Sequence, residues 1–194
     1  MATNKILQEY GTQLIFADHA TDFVFPATDP LAVNDISIGT PTEVQMNMSV
    51  IADAAYWQSA KTATLADTGT AWPMEWTFGA VFEHTATPAA GTDMILWWNP
   101  SPNSTAANGN SGGCSGTDLA YTVAGTDQLI LIGIMTLRNN VININANIGT
   151  IIMPYLYGSL VVQNNAGVAM VAGGDADNIY VVATPRIINI QAAA

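Results

Sequence analysis

The sequence predicts an all-β fold: an antiparallel β-sandwich of jelly-roll type, led by an extended N-terminal arm. Three observations carry this expectation. Apolar and polar residues alternate with period two through most of the chain. About ten such stretches recur at roughly 8–12-residue spacing, separated by turn-forming residues. No segment sustains a helical period over about eleven residues. The boundaries follow from where the alternation sets in: an arm over residues 1–32, then a sandwich domain over residues 33–194.

The arm is set apart by its lack of period. Residues 1–32 mix Tyr10, Phe16, Phe23 and Phe25 with Asp18, Asp22, Asp29, Pro26 and Pro30. Such a segment is expected to pack across the sandwich or onto a neighbouring molecule. Residues 3–9 read as one short helical turn capped by Thr3 or Asn4.

The strands follow in order. VQMNMSV (44–50) puts Val44, Met46, Met48 and Val50 on one face and Gln45, Asn47 and Ser49 on the other. WPMEWTFGAVFEH (72–84) places Trp72, Met74, Trp76, Phe78, Ala80 and Phe82 together, opposite Glu75, Thr77 and Glu83. Pro73 belongs at that strand's start or edge, because it has no ladder donor. Further strands are expected at 93–98, 128–137, 141–146, 150–155, 159–164, 167–172, 178–183 and 186–191. Turns are expected at Arg138–Asn140, at Asn164–Gly167 and over residues 173–177.

Composition narrows the function. Hydrophobic residues make up 49% of the 194 residues and charged ones only 10%, where an average soluble domain carries about 25%. Polarity therefore comes from amides and hydroxyls, a surface suited to lying against other protein. Four cations (Lys5, Lys61, Arg138, Arg186) face fifteen carboxylates, for a net charge of −11. Scattered as they are, four cations cannot build a phosphate-binding patch, which argues against a nucleic-acid partner. An anionic membrane surface is argued against on the same ground. The longest apolar run, Leu129–Met135, is broken by Gly133 and far short of a span of about 20 residues. MATNKILQEYGTQ lacks the basic-then-apolar order of a signal peptide. Cys114 is the single cysteine, which fits synthesis in a reducing cytoplasm and leaves no internal disulfide or thiolate metal cluster to expect.

Several motifs invite chemistry. GNSGG (109–113) spells the nucleophile loop of trypsin-like proteases, with Ser111 as the candidate. A serine nucleophile needs an activating histidine, and only His19 and His84 exist, neither in a suitable context. The loop lies in a long run of turn-formers, so a turn is the reading adopted; no catalytic residue and no cofactor is expected. Asp175 and Asp177 in GGDADN could offer oxygens to calcium, but a solvated turn is the simpler reading. Trp97 and Trp98 are adjacent, so their side chains leave opposite faces of a strand. One of them should meet a partner subunit, since aromatic residues are enriched at interfaces. Trp97, Trp98, Phe23 and Phe25 are thus the candidate interface residues. A carbohydrate- or receptor-binding surface using the same tryptophans is the alternative.

Several phrases, read as a set, carry a resemblance: YWQSAKTATL (56–65), FEHTATP (82–88), AGTDMILWWNPSPNST (90–105), NGNSGGCSGTDLAY (108–121) and YLYGSLVVQNNAGVAM (155–170). Over roughly residues 40–185 the chain resembles a group of jelly-roll structural proteins of tailed bacteriophage particles. The resemblance implies a virion component, most often a head decoration protein on the particle's exterior. It implies contacts with other copies of itself, as a homo-oligomer such as a trimer, and with the major capsid protein. It implies no catalytic residues. Residues 1–32 take no part in it.

Overall fold

The structure is a computed structural model. It describes residues 5–20, 36, 41–63, 65, 75–122, 125–172 and 179–191, with the side chains of 5–9, 50 and 188–191 excepted. Eleven strands are found among them: β1 (Lys5–Tyr10), β2 (Leu14–Ala17), β3 (Thr42–Gln45), β4 (Tyr56–Gln58), β5 (Glu75–Glu83), β6 (Asp93–Ser101), β7 (Leu119–Ala120), β8 (Ile130–Thr136), β9 (Ile142–Ile151), β10 (Tyr157–Asn165) and β11 (Tyr180–Gln191). They form two sheets. The first runs β3-β2-β11-β5-β9, with β1 also on β11; the second runs β7-β4-β10-β6-β8. Every pairing is antiparallel except β2 with β3.

The two sheets close on one core, as in a β-sandwich. The expected alternation of β5 is realised: Trp76, Phe78, Ala80 and Phe82 are buried inward, while Glu75, Thr77 and Glu83 stand half-exposed on the other side. Trp98 reaches across from the second sheet. Its ring lies 6.3 Å from both Phe16 and Phe78, edge-on to the first. Around it are Met94, Leu96, Leu160, Val162 and Val181, all fully buried.

The outer face of the first sheet is apolar too. Ile15, Ala17, Val81, Tyr180 and Val182 are buried there, and Ile36 packs on them. This explains why β11 and β5 read as nearly continuous apolar runs near their middles: both of their faces are covered.

The amino-terminal residues differ from the expected arm. Residues 5–10 are a strand, not a helical turn, paired with β11 from Lys5↔Gln191 to Tyr10↔Arg186. Leu14–Ala17 is a buried strand of the sheet itself. The register moves by one residue between Tyr10↔Arg186 and Leu14↔Ala183, so β1 and β2 are two parts of one interrupted line along β11. Pro185 sits opposite the break, its carbonyl accepting from the Gly11 N–H. A proline is tolerated within β11 there because the neighbouring line is interrupted where a donor would be missing. The two strands expected at 178–183 and 186–191 therefore run on as one.

Three other segments depart from expectation. VQMNMSV is a strand only to Gln45; Met48–Val50 is a 3-10 turn. The Asn47 side chain accepts from the Ser49 N–H at 3.1 Å, and this local bond competes with the ladder. Met46 and Met48 stay buried all the same. The strands expected at 141–146 and 150–155 join into β9, which ends at Ile151. GVAMVA supplies only the isolated bridge His84↔Met170.

At one corner the sheets meet backbone to backbone. A Cβ on Gly133 of β8 would run into the Ile148 carbonyl of β9, and one on Gly149 would run into that of Ile132. The glycine that interrupts the longest apolar run thus lets the sheets touch.

Candidate assembly face

The adjacent tryptophans separate as strand geometry requires. Trp98 faces inward with no exposed surface, so it has nothing to offer a partner. Trp97 is half-buried on the outer face of the second sheet. It stands opposite Leu131 on β8 and Val161 on β10. One face of its indole lies against Tyr56, with ring centroids 5.7 Å apart, which takes up part of the surface a sugar would stack on.

Two residues along the same face, Ile95 stands opposite Ile134. A shift in register between Leu96 and Trp97 keeps both pairs outward: Leu131 faces out, Ile132 is buried, and Ile134 faces out again. Leu131 and Ile134 are each 52% exposed on an edge strand. Trp97, Leu131, Ile95 and Ile134 therefore form one apolar patch from two cross-strand pairs. Periodicity missed Leu131 and Ile134, because QLILIGIMTL is apolar on both faces.

A signal for them lay elsewhere in the sequence. No carboxylate occurs from residue 128 to residue 174. Of the exposed large apolar residues described, Leu131, Ile134, Ile144, Ile152 and Tyr155 fall in that stretch, and only Tyr10 and Leu119 outside it.

The cations are used unequally. Arg186 pairs with Glu75. The Lys61 ammonium donates into the long connection after β6, meeting Ser101 Oγ at 2.9 Å and the carbonyls of Asn103, Thr105 and Asn108 at 3.1, 2.8 and 2.6 Å. Arg138 lies at the β8–β9 turn, and among the described residues its guanidinium has no ion pair. It lines a pocket of about 380 Å³ with Asn140, Asn143, Asn145, Ile142 and Ile144.

The GNSGG connection is built, not slack. Gly109, Gly112, Gly113 and Gly116 take positive φ, the conformation glycine alone adopts freely. The Ser111 N–H donates to Asn99 Oδ1, the Gly112 N–H to Gln128 Oε1 and the Ser115 N–H to Gln58 Oε1. Asp118 closes the far end, accepting from the Asn47 N–H and from Trp57 Nε1. The histidines lie elsewhere. His84 is buried at the end of β5, where desolvation pushes its pKa down. His19 Nε2 is 3.2 Å from the Ile15 carbonyl oxygen. Cys114 packs with Tyr121, Leu129 and Val161, and burial pushes its thiol up to about 12.

Phe23, Phe25, Asp175 and Asp177 lie outside the described residues. Among the described residues no cluster of three or more His, Cys, Asp or Glu could hold a metal, and no helix is long and apolar enough to cross a membrane. No family model, no curated protein and no solved structure matches this chain.

Proposed function

We propose that this chain is a virion structural protein of jelly-roll type that decorates the exterior of a tailed-phage head and cements it through repeated subunit contacts. The observation that carries this reading is the concentration of exposed apolar side chains on a carboxylate-free stretch of a chain with net charge −11. Burying apolar surface against a neighbour stabilises by about 25 cal/mol per Å². Many copies multiply a modest contact into strong avidity. The sequence resemblance to head decoration proteins supports the same role, and so does the charge. A strongly acidic protein is repelled by packaged DNA and suits the outer side of a shell. Its partners would be other copies of itself and the major capsid protein, met after synthesis in the host cytoplasm.

The test is titration onto particles lacking this protein, followed by heating. Saturation near one copy per shell subunit, with a raised temperature of genome release, is the expected result. Binding that leaves heat resistance unchanged would remove the cementing role, and a stoichiometry of six or fewer copies would move the protein to the tail.

A further inference from the structure

We infer that the outer face of β6 and β8, with the Arg138 pocket beside it, is the surface on which a second copy of this chain docks. This rests on the structural-protein reading above and names the surface that reading leaves open.

Two identical chains of net charge −11 repel each other wherever acidic surface meets acidic surface. Their contact is favoured where that repulsion is least and apolar area is greatest. The face built from Trp97–Leu131 and Ile95–Ile134 has no charge within its two pairs and exposes Leu131 and Ile134 by 52% each. β8 and β9 contain no charged residue at all. By register, Asp93 stands opposite Thr136 and Glu83 opposite Ile142, at the margins of this region. Asp93 already accepts from Asn165 Nδ2.

Charge then selects the occupant. Among the described residues the Arg138 guanidinium has no ion pair, and it adjoins the patch through Thr136, the next outward residue of β8 after Ile134. A neighbouring copy carries fifteen carboxylates and supplies the complementary charge. The pocket's amides at Asn140 and Asn145 suit an edge of polar protein surface, while the buried Asn143 amide is spent on the Arg138 N–H and the Asn140 carbonyl. A hydrophobic centre bordered by polar groups is the usual anatomy of a protein contact.

The test is the oligomeric state of the full chain by sedimentation velocity from about 1 to 200 μM. The wild type should associate within that range. Leu131→Asp and Ile134→Asp should each weaken association by about tenfold or more. Arg138→Glu should weaken it most at low salt. Leu119→Asp, on the opposite edge of the same sheet, should leave it unchanged. A wild type that stays monomeric throughout overturns the proposal, as does an oligomer that Leu131→Asp and Ile134→Asp disturb no more than Leu119→Asp does. Should the variants fail to fold, hydrogen exchange on the wild type decides. Protection of β6 and β8 should rise with concentration, and concentration-independent exchange there overturns the proposal. Particle binding separates the two readings. A monomer that still cements particles refutes this surface alone. An oligomer formed through this face that binds no particle refutes decoration and leaves the surface standing.

Discussion

Gly158→Ala is expected to destabilise the fold through a single methyl group. Gly158 lies on β10 beside the buried indole of Trp98. A Cβ built there would come within 2.7 Å of the Asn99 carbonyl oxygen, and closer still to two carbons of the Trp98 ring. The glycine has no positive φ, so the cost is steric rather than conformational. Trp98 cannot swing aside, since it is fully buried between Phe16 and Phe78. Overpacking of this kind costs about 1–3 kcal/mol, and contact with both a ring and the backbone places this case near 3. For a domain of this size that is a fall of about 6–12 °C in melting temperature. Trp98→Phe shortens the ring. It leaves a void but also removes the buried Trp98 Nε1, which has no hydrogen-bond partner among the described residues. The double variant should therefore be more stable than the sum of the singles by about 1–2 kcal/mol, read from urea unfolding as a double-mutant cycle. A loss below about 0.5 kcal/mol in Gly158→Ala, or strict additivity in the cycle, would refute the reasoning.

Three further outcomes follow from single side chains. Burial lowers the pKa of His84 below the ordinary 6.5. Above pH 6.5 the ring is neutral in folded and unfolded chains alike and contributes no pH dependence. As pH falls below 6.5 the unfolded chain binds a proton that the folded one resists, so stability drops, by at most about 1.4 kcal/mol per pH unit. His84→Leu should flatten that part of the acid melting profile; an unchanged slope would disprove it. Lys61→Met removes the ammonium that gathers four oxygens of the connection after β6. Because water can reach several of these oxygens, a loss of about 1–2 kcal/mol is expected, with faster protease cleavage between residues 102 and 110. The Cys114 thiol, pushed up to about 12, should react with a disulfide reagent at pH 8 at least about a hundredfold more slowly in the native protein than in urea.

Strands were legible where β-forming runs are bounded by turn residues, whether or not both faces are covered. β5 falls where alternation places it, β6 and β10 fall where apolar runs between turn-formers do, and the opposite fates of Trp97 and Trp98 follow from period two alone. What stayed illegible depends on contacts remote in sequence. Residues 5–17 carry no regular period because β2 is buried on both faces, and pairing with residues 181–191, and for β2 also with β3, makes them strands. The 3-10 turn at Met48 hangs on one Asn47 side chain. The exposure of Leu131 and Ile134 is set by a shifted register against β6, which no local pattern reveals. Charge is the signal that reached them: the acid-free run from residue 128 to 174 stands plainly in the sequence.

The place of β11 bears on how the protein is made. It is the last strand in the chain order described, yet it lies in the middle of the first sheet, between β2 and β5. Lys5 finds its partner only in Gln191. On a ribosome that delivers the chain amino end first, β2 and β5 emerge early and wait for the strand that joins them. Such long-range closure is slow and leaves apolar strand edges open in the interval. A chain cut short before β11 is thus not a smaller version of this protein, because it lacks the strand that unites the first sheet. Until β11 has emerged, β2 and β5 have no shared neighbour and the first sheet stays in two parts.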